Sequence, residues 1–448
     1  MTHTRPAAIQ RRASVREPKP AFEITRSRVL RGRFFSREDG RVAMSQIYKN
    51  LIGQLQSIPK AETVLIRGAR QLITLRGPAR PRRGAELGDL SIIPDGALLI
   101  REGRIVEAGP TRRVENLGPA RQALEINAAG RVVMPGFVDG RVQLWPGSPD
   151  ATRTLSTRTL AARACKVLAG MARHGTTTVC AATSAARDHS TELKMFRVLG
   201  GLNGKPLDVL TAYVGLVPES SDDAAQVESL CTKMMPIVWR RKLARFAVGN
   251  CAALEQAATR RLLESARKLG FQLCLWAGSH PFAIPLAVEM GALSITLEGI
   301  GEEEIRILAG SRTIAQLLPA SLFQRRSERR PHTRALIESG AAIALASGFG
   351  LEDGPTYNMQ MVLSLACSEM GMSPEEAISG ATINAAYALG CGAECGSLEP
   401  GKRADVLLMN VEDYRELPYR FGINHTHMVF KNGTAIYQEG EVTHWDGK

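Results

Sequence analysis

No CxxC pair occurs among the eight cysteines, which stand at positions 165, 180, 231, 251, 274, 367, 391 and 395. That absence excludes the common zinc-ribbon and thioredoxin-like spacings. Most of the thiols lie in apolar stretches such as "QLCLWAG", as buried free cysteines in a reducing cytoplasm do. One C-x3-C spacing, in "GCGAECG", has no second pair to complete a zinc site. No run approaches the roughly 18 apolar residues of a membrane span. The basic start of the chain has no apolar core of the secretory kind. A P-loop or dinucleotide fingerprint in a strand-to-helix context is also missing. These absences point to a cytoplasmic protein that needs no membrane and no nucleotide.

The excess of positive charge, +13 over 448 residues, first suggests nucleic acid as a partner. Its distribution says otherwise. Residues 1–60 hold 13 Lys/Arg and 4 Asp/Glu, whereas the remaining 388 residues net only +4. The basic segment is therefore expected to be a disordered extension, with a basic binding arm as the alternative and Met44 as a possible true start.

Residues 61–135 alternate apolar and polar positions and break at Gly or Pro, as in "GALLIREGRIVEAGP", which predicts half-buried strands. From 136 to 397 short apolar runs ("TTTVCAA", "FQLCLWAG", "GALSITLE", "AAIALASGF") alternate with helix-period segments. One such segment, "SPEEAISGATINAAYALG", opens with Ser373 at the N-cap, Pro374 at N1 and two glutamates. Repeated strand–helix units of this kind predict a parallel (β/α)8, TIM-like barrel. Residues 398–448 return to strands and are expected to complete a composite β-sandwich begun before the barrel.

Several stretches carry a family likeness: "MPGFVDG" entering the first barrel strand, "TELKMFRVLGGL", "LLPASLF", "GSLEPGKRADVLLMN" and "YRELPYRFGINHTHMVFKNG". In this the chain resembles the amidohydrolase superfamily, and within it imidazolonepropionase, over roughly residues 62–440. The resemblance implies a hydrolase of C–N bonds in cyclic amides that uses zinc or iron at the C-terminal mouth of the barrel. Its metal would be held by two histidines on the first strand, one on the fifth and an aspartate after the eighth, with a further histidine on the sixth. Those positions fall on Arg141, Gln143, Trp276, Gly348 and Thr296 respectively. An arginine has no lone pair to give, Gln offers a neutral carbonyl, Trp only an N–H, and Gly nothing. No metal cofactor is therefore expected.

Two function classes follow. The first is a catalytically silent relative, in which Arg141, Gln143, Trp276, Thr296 and Gly348 line a pocket for a small carboxylate, or which pairs with itself or with an active homologue. The second is an active hydrolase of cyclic amides with a rebuilt or metal-free site around His280, Glu298 and Asp139, with His332, Glu352 and Asp353 as further contributors. The only HxH, His425 and His427, is expected to be structural and solvent-facing in the C-terminal β-region. The arginine-rich "RRSERR", residues 325–330, reads as a solvated charge run or an anion-binding loop at the mouth.

Overall fold

The structure is a computed structural model that describes residues 61–439, save 146–148, 184–187, 216–222, 279, 327–331 and 351–353. The expectations for residues 1–60, for Met44, for most of the arginine-rich run and for Glu352 and Asp353 lie outside the described residues.

Eight parallel strands form the barrel in chain order: β6 (Phe137–Val142), β7 (Thr176–Ala182), β8 (Asp208–Tyr213), β9 (Phe246–Asn250), β10 (Gln272–Trp276), β11 (Ser294–Thr296), β12 (Ile314–Leu317) and β13 (Ile343–Leu345). Side chains alternate across each strand with period two. Leu273 and Leu275 of β10 join the large apolar cluster shared with the surrounding helices. Alternating with them, Cys274 and Trp276 turn inward, beside Cys180, Ala182, Ala212 and Val248 of other barrel strands. The first and last strands are joined by side chain and loop. Asp139 accepts from Ser347 N (3.0 Å) and Ser347 Oγ (2.5 Å), and Gln143 N donates to Phe349 O (2.7 Å).

Before and after the barrel the chain supplies one continuous mixed sheet. It runs β16 (Thr434–Gln438), β15 (Thr426–Lys431), β14 (Val406–Met409), β5 (Val132–Pro135), β1 (Thr63–Ile73), β2 (Ile92–Arg101), β3 (Arg104–Pro110), with β4 (Leu124–Asn127) parallel to β1. The composite β-domain from both chain ends is thus present. It curls on itself: Gly401 N donates to Ile105 O (2.8 Å) and Ala404 N to Gly103 O (2.9 Å).

The sheet meets the barrel floor through buried ions. Lys431 Nζ donates to Asp405 (2.7 Å) and Asp208 (2.8 Å), and Arg403 Nη1 reaches Asp208 at 2.9 Å. Asp208 opens β8, so this network ties strand β15 to the barrel. Above it, the helix Ile383–Ala388 and the following turn press Ala385, Ala386 and Leu389 against the inward faces of the strands.

Helix ends follow the local sequence. Ser373 Oγ accepts from Glu376 N (3.3 Å) and Glu376 answers Ser373 N (2.8 Å), the reciprocal capping expected there. The single helix expected over 374–389 is two, Pro374–Ala381 and Ile383–Ala388, broken at Thr382 with ψ −91°. The break is held by Asn384, whose side chain bonds Arg82 N (2.7 Å), Arg82 O (2.9 Å) and Ile343 O (2.8 Å). Periodicity cannot foresee a tertiary contact of this kind. No helix among the described residues is long and apolar enough to cross a membrane.

Candidate functional site: a cation at the barrel mouth

Strand β6 contains one residue more than its partner over the stretch that reaches the mouth. Asp139 pairs with Val179 and Val142 with Ala181, so three steps on β6 match two on β7. Such a bulge re-aims the side chains it contains. Here it carries Gly140 and Arg141 into the barrel interior, while Val142 packs outward among the helices.

The Arg141 guanidinium lies over the Trp276 ring, 4.1 Å from its centroid. The first and fifth strands therefore meet at this point through a cation–π contact. Among the described residues its Nε is buried and donates to no partner. Burial works against the charge and draws the Arg141 pKa down to about 9, helped by Arg325 and opposed by Glu298. That is still above neutrality, so Arg141 is a cation at pH 7.

Beneath Arg141 is a chamber of about 20 Å³, enough for one water-sized particle. Its walls are Gly140, Cys180, Ala182, Ala212, Val248, Cys274, Ser294, Thr296, Gln316 and Leu389, together with Arg141 and Trp276. Gln316, on the seventh barrel strand, is 3% exposed and its Oε1 accepts from Thr296 Oγ1 at 3.1 Å. Its Nε2 has no acceptor. A Cβ on Gly140 would stand 2.0 Å from that nitrogen, so a larger residue there would push the Gln316 amide aside. Burial raises the Cys180 thiol well above its ordinary range and Cys274 to about 11, which keeps both neutral.

The positions that sequence reasoning singled out divide into two sets. Arg141, Trp276 and Thr296 come together around the chamber. Gln143 is buried above it, with Nε2 donating to Trp145 O at 3.4 Å. Gly348 has φ +68°, and a Cβ there would be 2.8 Å from Ser321 Oγ. The proposed catalytic trio does not assemble. Asp139 is fully buried and occupied in closing the barrel through Ser347; burial raises its pKa to about 6. Glu298 pairs with Arg325 at 2.6 Å. His280 is exposed and lies tilted beside Phe282, 5.5 Å between rings, and His332 is exposed at the start of the helix Thr333–Glu338. Among the described residues no three His, Cys, Asp or Glu side chains are placed to hold a metal. The side chains brought together here, a guanidinium, an indole and a hydroxyl bound to an amide, do not fit a divalent cation.

One expectation about histidine is corrected. His425 is not solvent-facing: it is 4% exposed, its Nε2 lies 3.1 Å from Arg420 O, and its N donates to Gln360 Oε1. Gln360 also binds Asn424 and Thr426, and this amide network pulls the turn inward. His427 is half-buried beside Glu439. Sequence reasoning missed Gln316 and Gly140. The available signal was one amide in the apolar strand "TIAQLL", at a position that alternation turns inward.

The chain is similar in sequence to proteins named imidazolonepropionase. That of Symbiobacterium thermophilum is 34% identical over 421 residues, covering 85% of this chain and 98% of that protein. That of Alkaliphilus metalliredigens is 31% identical over 417 residues, covering 85% and 99%. A profile described as "Amidohydrolase family" matches residues 263–436. Among solved structures, E. coli guanine deaminase superposes with a TM-score of 0.67 at 16% identity, covering 85% of this chain and 100% of that one. Guanine deaminase from Bradyrhizobium japonicum gives 0.66 at 15%, with the same coverage. The structural likenesses carry the fold, and the sequence likenesses carry the family. The chain belongs to the amidohydrolase superfamily and, within it, is imidazolonepropionase-like.

Proposed function

We propose that this chain is a catalytically silent imidazolonepropionase-like protein whose barrel mouth offers a fixed positive charge to a small anion. The observation that carries the reading is Arg141: a half-buried guanidinium stacked on Trp276, its Nε buried without a partner, at the position where the resemblance would place a metal ligand. Metal-assisted hydrolysis needs lone-pair donors that leave one coordination position for water. Arg141, Trp276 and Gly348 supply none, so no hydroxide is generated by that route. A family fold does not confer the activity when the chemical groups differ.

The competing reading is an active hydrolase of cyclic amides, and it depends on His280, Glu298 and Asp139 acting together. Glu298 is paired with Arg325 and Asp139 is held by Ser347, so neither orients His280. The two readings separate in a turnover assay. Imidazolone propionate, the substrate implied by the relatives' name, and a panel of cyclic amides are incubated with the purified chain with and without chelator. No turnover above the uncatalysed rate is expected. Turnover that chelator abolishes, or that His280→Ala abolishes, would overturn the proposal.

A further inference from the structure

The C-x3-C spacing of "GCGAECG" becomes a contact at the far side of the barrel from Arg141. All eight cysteines are free thiols, and Cys391 and Cys395 lie with their sulfurs 3.6 Å apart. One backbone turn makes the approach: Glu394 N and Cys395 N both donate to Cys391 O, at 2.8 and 3.1 Å. Packing sets this turn, and the thiols do not. Gly396 has φ +88°, and a Cβ there would stand 2.8 Å from that of Ala386 and 2.9 Å from Ile383 Cα. A glycine lets the backbone pass this close to the helix Ile383–Ala388, and the passage brings Cys395 back over Cys391.

The geometry suits a bond between the two sulfurs. A disulfide needs Cα atoms about 4.4–6.8 Å apart, and one helical turn separates residues four apart by roughly 6 Å. The cover over the pair is thin. Cys391 is 3% and Cys395 1% exposed, yet Ala393 and Glu394, which lie between them in sequence, are exposed. Electrostatics make the two thiols unequal. The Cys391 thiol, and after it Arg403 and Lys431, draw the Cys395 thiol below its ordinary value, against burial and Asp405. Cys395 and burial push the Cys391 thiol up. The thiolate is the reactive form, so Cys395 is the attacking sulfur and Cys391 the resolving one.

We infer that Cys391 and Cys395 form a peroxide-sensitive dithiol, which a hydroperoxide converts to an intramolecular disulfide. The Cys395 sulfur takes the terminal oxygen of the hydroperoxide as the O–O bond breaks, and the departing alkoxide takes up the proton that Cys395 gave up. The Cys391 sulfur then attacks the sulfur of the Cys395 sulfenic acid. Its S–O bond breaks, and water leaves with the Cys391 proton. Two thiols lose two electrons in all, and the hydroperoxide becomes one alcohol and one water. A dithiol reductant reverses the bond by exchange. The bond fastens the turn that joins the helix Ile383–Ala388 to the β-domain, where Leu398 N donates to Thr74 O (2.8 Å) and Lys402 Nζ to Gly392 O (2.7 Å). This inference stands apart from the chemistry of the barrel mouth.

The test uses the whole chain, reduced, desalted and treated with hydrogen peroxide at neutral pH. Free thiols are capped with N-ethylmaleimide, and the denatured chain is cut at glutamate without reductant. Cleavage after Glu376, Glu394 and Glu399 gives fragments 377–394 and 395–399, which a Cys391–Cys395 bond holds together. The joined pair, two hydrogens lighter than the free fragments combined, is expected to form on the order of tenfold faster than Cys180 or Cys251 is oxidised, because burial keeps those thiols neutral. Dithiothreitol is expected to separate it again. In Cys391→Ser a dimedone-type trap is expected to label Cys395, whereas in Cys395→Ser the Cys391 thiol is expected to stay free. The wild-type result needs no variant to fold. Maleimide on both cysteines while other thiols are oxidised, or joined fragments only from chain denatured before peroxide, overturns the inference. Equal labelling of the two variants overturns the order of attack.

Discussion

The two ends of the barrel treat buried charge in opposite ways. At the floor, Lys431 is 5% exposed and sits between Asp405 and Asp208, with Arg403 completing the set. At the mouth, Arg141 lies over a ring face and has no ion pair among the described residues. The floor network is closed: each ion has a partner from another segment, and together they fasten the β-domain to strand β8. The mouth is open. Structural charges are paired within the chain, and a charge that the chain leaves unpaired is available to something else.

Breaking the floor should cost most. Lys431→Met leaves Asp405 and Asp208 to share Arg403, and removing one member of a buried ion network costs about 3–5 kcal/mol. Urea unfolding followed by circular dichroism measures it. A loss under about 1 kcal/mol would show that the floor charges are not coupled.

A lone acid between the two ends extends the contrast to pH. Glu192 is 2% exposed, accepts from Thr183 Oγ1 at 3.1 Å, and burial raises its pKa from 4.5 to about 7. A raised folded pKa gives stability that is complete below the unfolded value near 4.5 and is lost as pH rises through 7. Glu192→Gln is expected to remove a decline of about 3 kcal/mol between pH 4.5 and 7.5. Parallel pH profiles for the two proteins would contradict the assignment.

Filling the chamber should have a smaller effect. Gly140→Ala drives a methyl into the Gln316 amide and is expected to cost about 1–3 kcal/mol. Unchanged thermal stability would mean that Gln316 does not lie against β6. Smallest of all is Arg141→Met. With no ion pair to orphan among the described residues, it should change stability by less than about 1 kcal/mol, or improve it. A loss comparable to that of Lys431→Met would show that Arg141 is paired as the floor ions are, and the comparison would collapse.

Strand and barrel positions were legible in the sequence because their cause is local. Apolar runs such as "FQLCLWAG" and "TTTVCAA" alternate with amphipathic helices, and that pattern alone specifies β7, β10 and their neighbours. The resemblance implied that Arg141, Trp276 and Gly348 stand at ligand positions in "VDGRVQL", "LCLWAG" and "ALASGF", and the structure brings the first two together at the mouth. What escaped depends on contacts between distant segments. The break at Thr382 comes from Asn384 reaching Arg82, 302 residues away. The burial of His425 comes from Gln360, and Asp139's service to closure comes from Ser347, 208 residues on. Gln316 escaped for another reason: one amide in an apolar strand reads as tolerated until the opposing glycine and the empty donor are seen.

The most direct test of the account is the metal content of the untagged, purified chain by elemental analysis. Donors at the mouth that carry no usable lone pairs predict under about 0.1 zinc or iron per chain, before and after incubation with excess metal. About one tightly held metal per chain would contradict the account, and it would place a ligand set outside Arg141, Trp276 and Gly348.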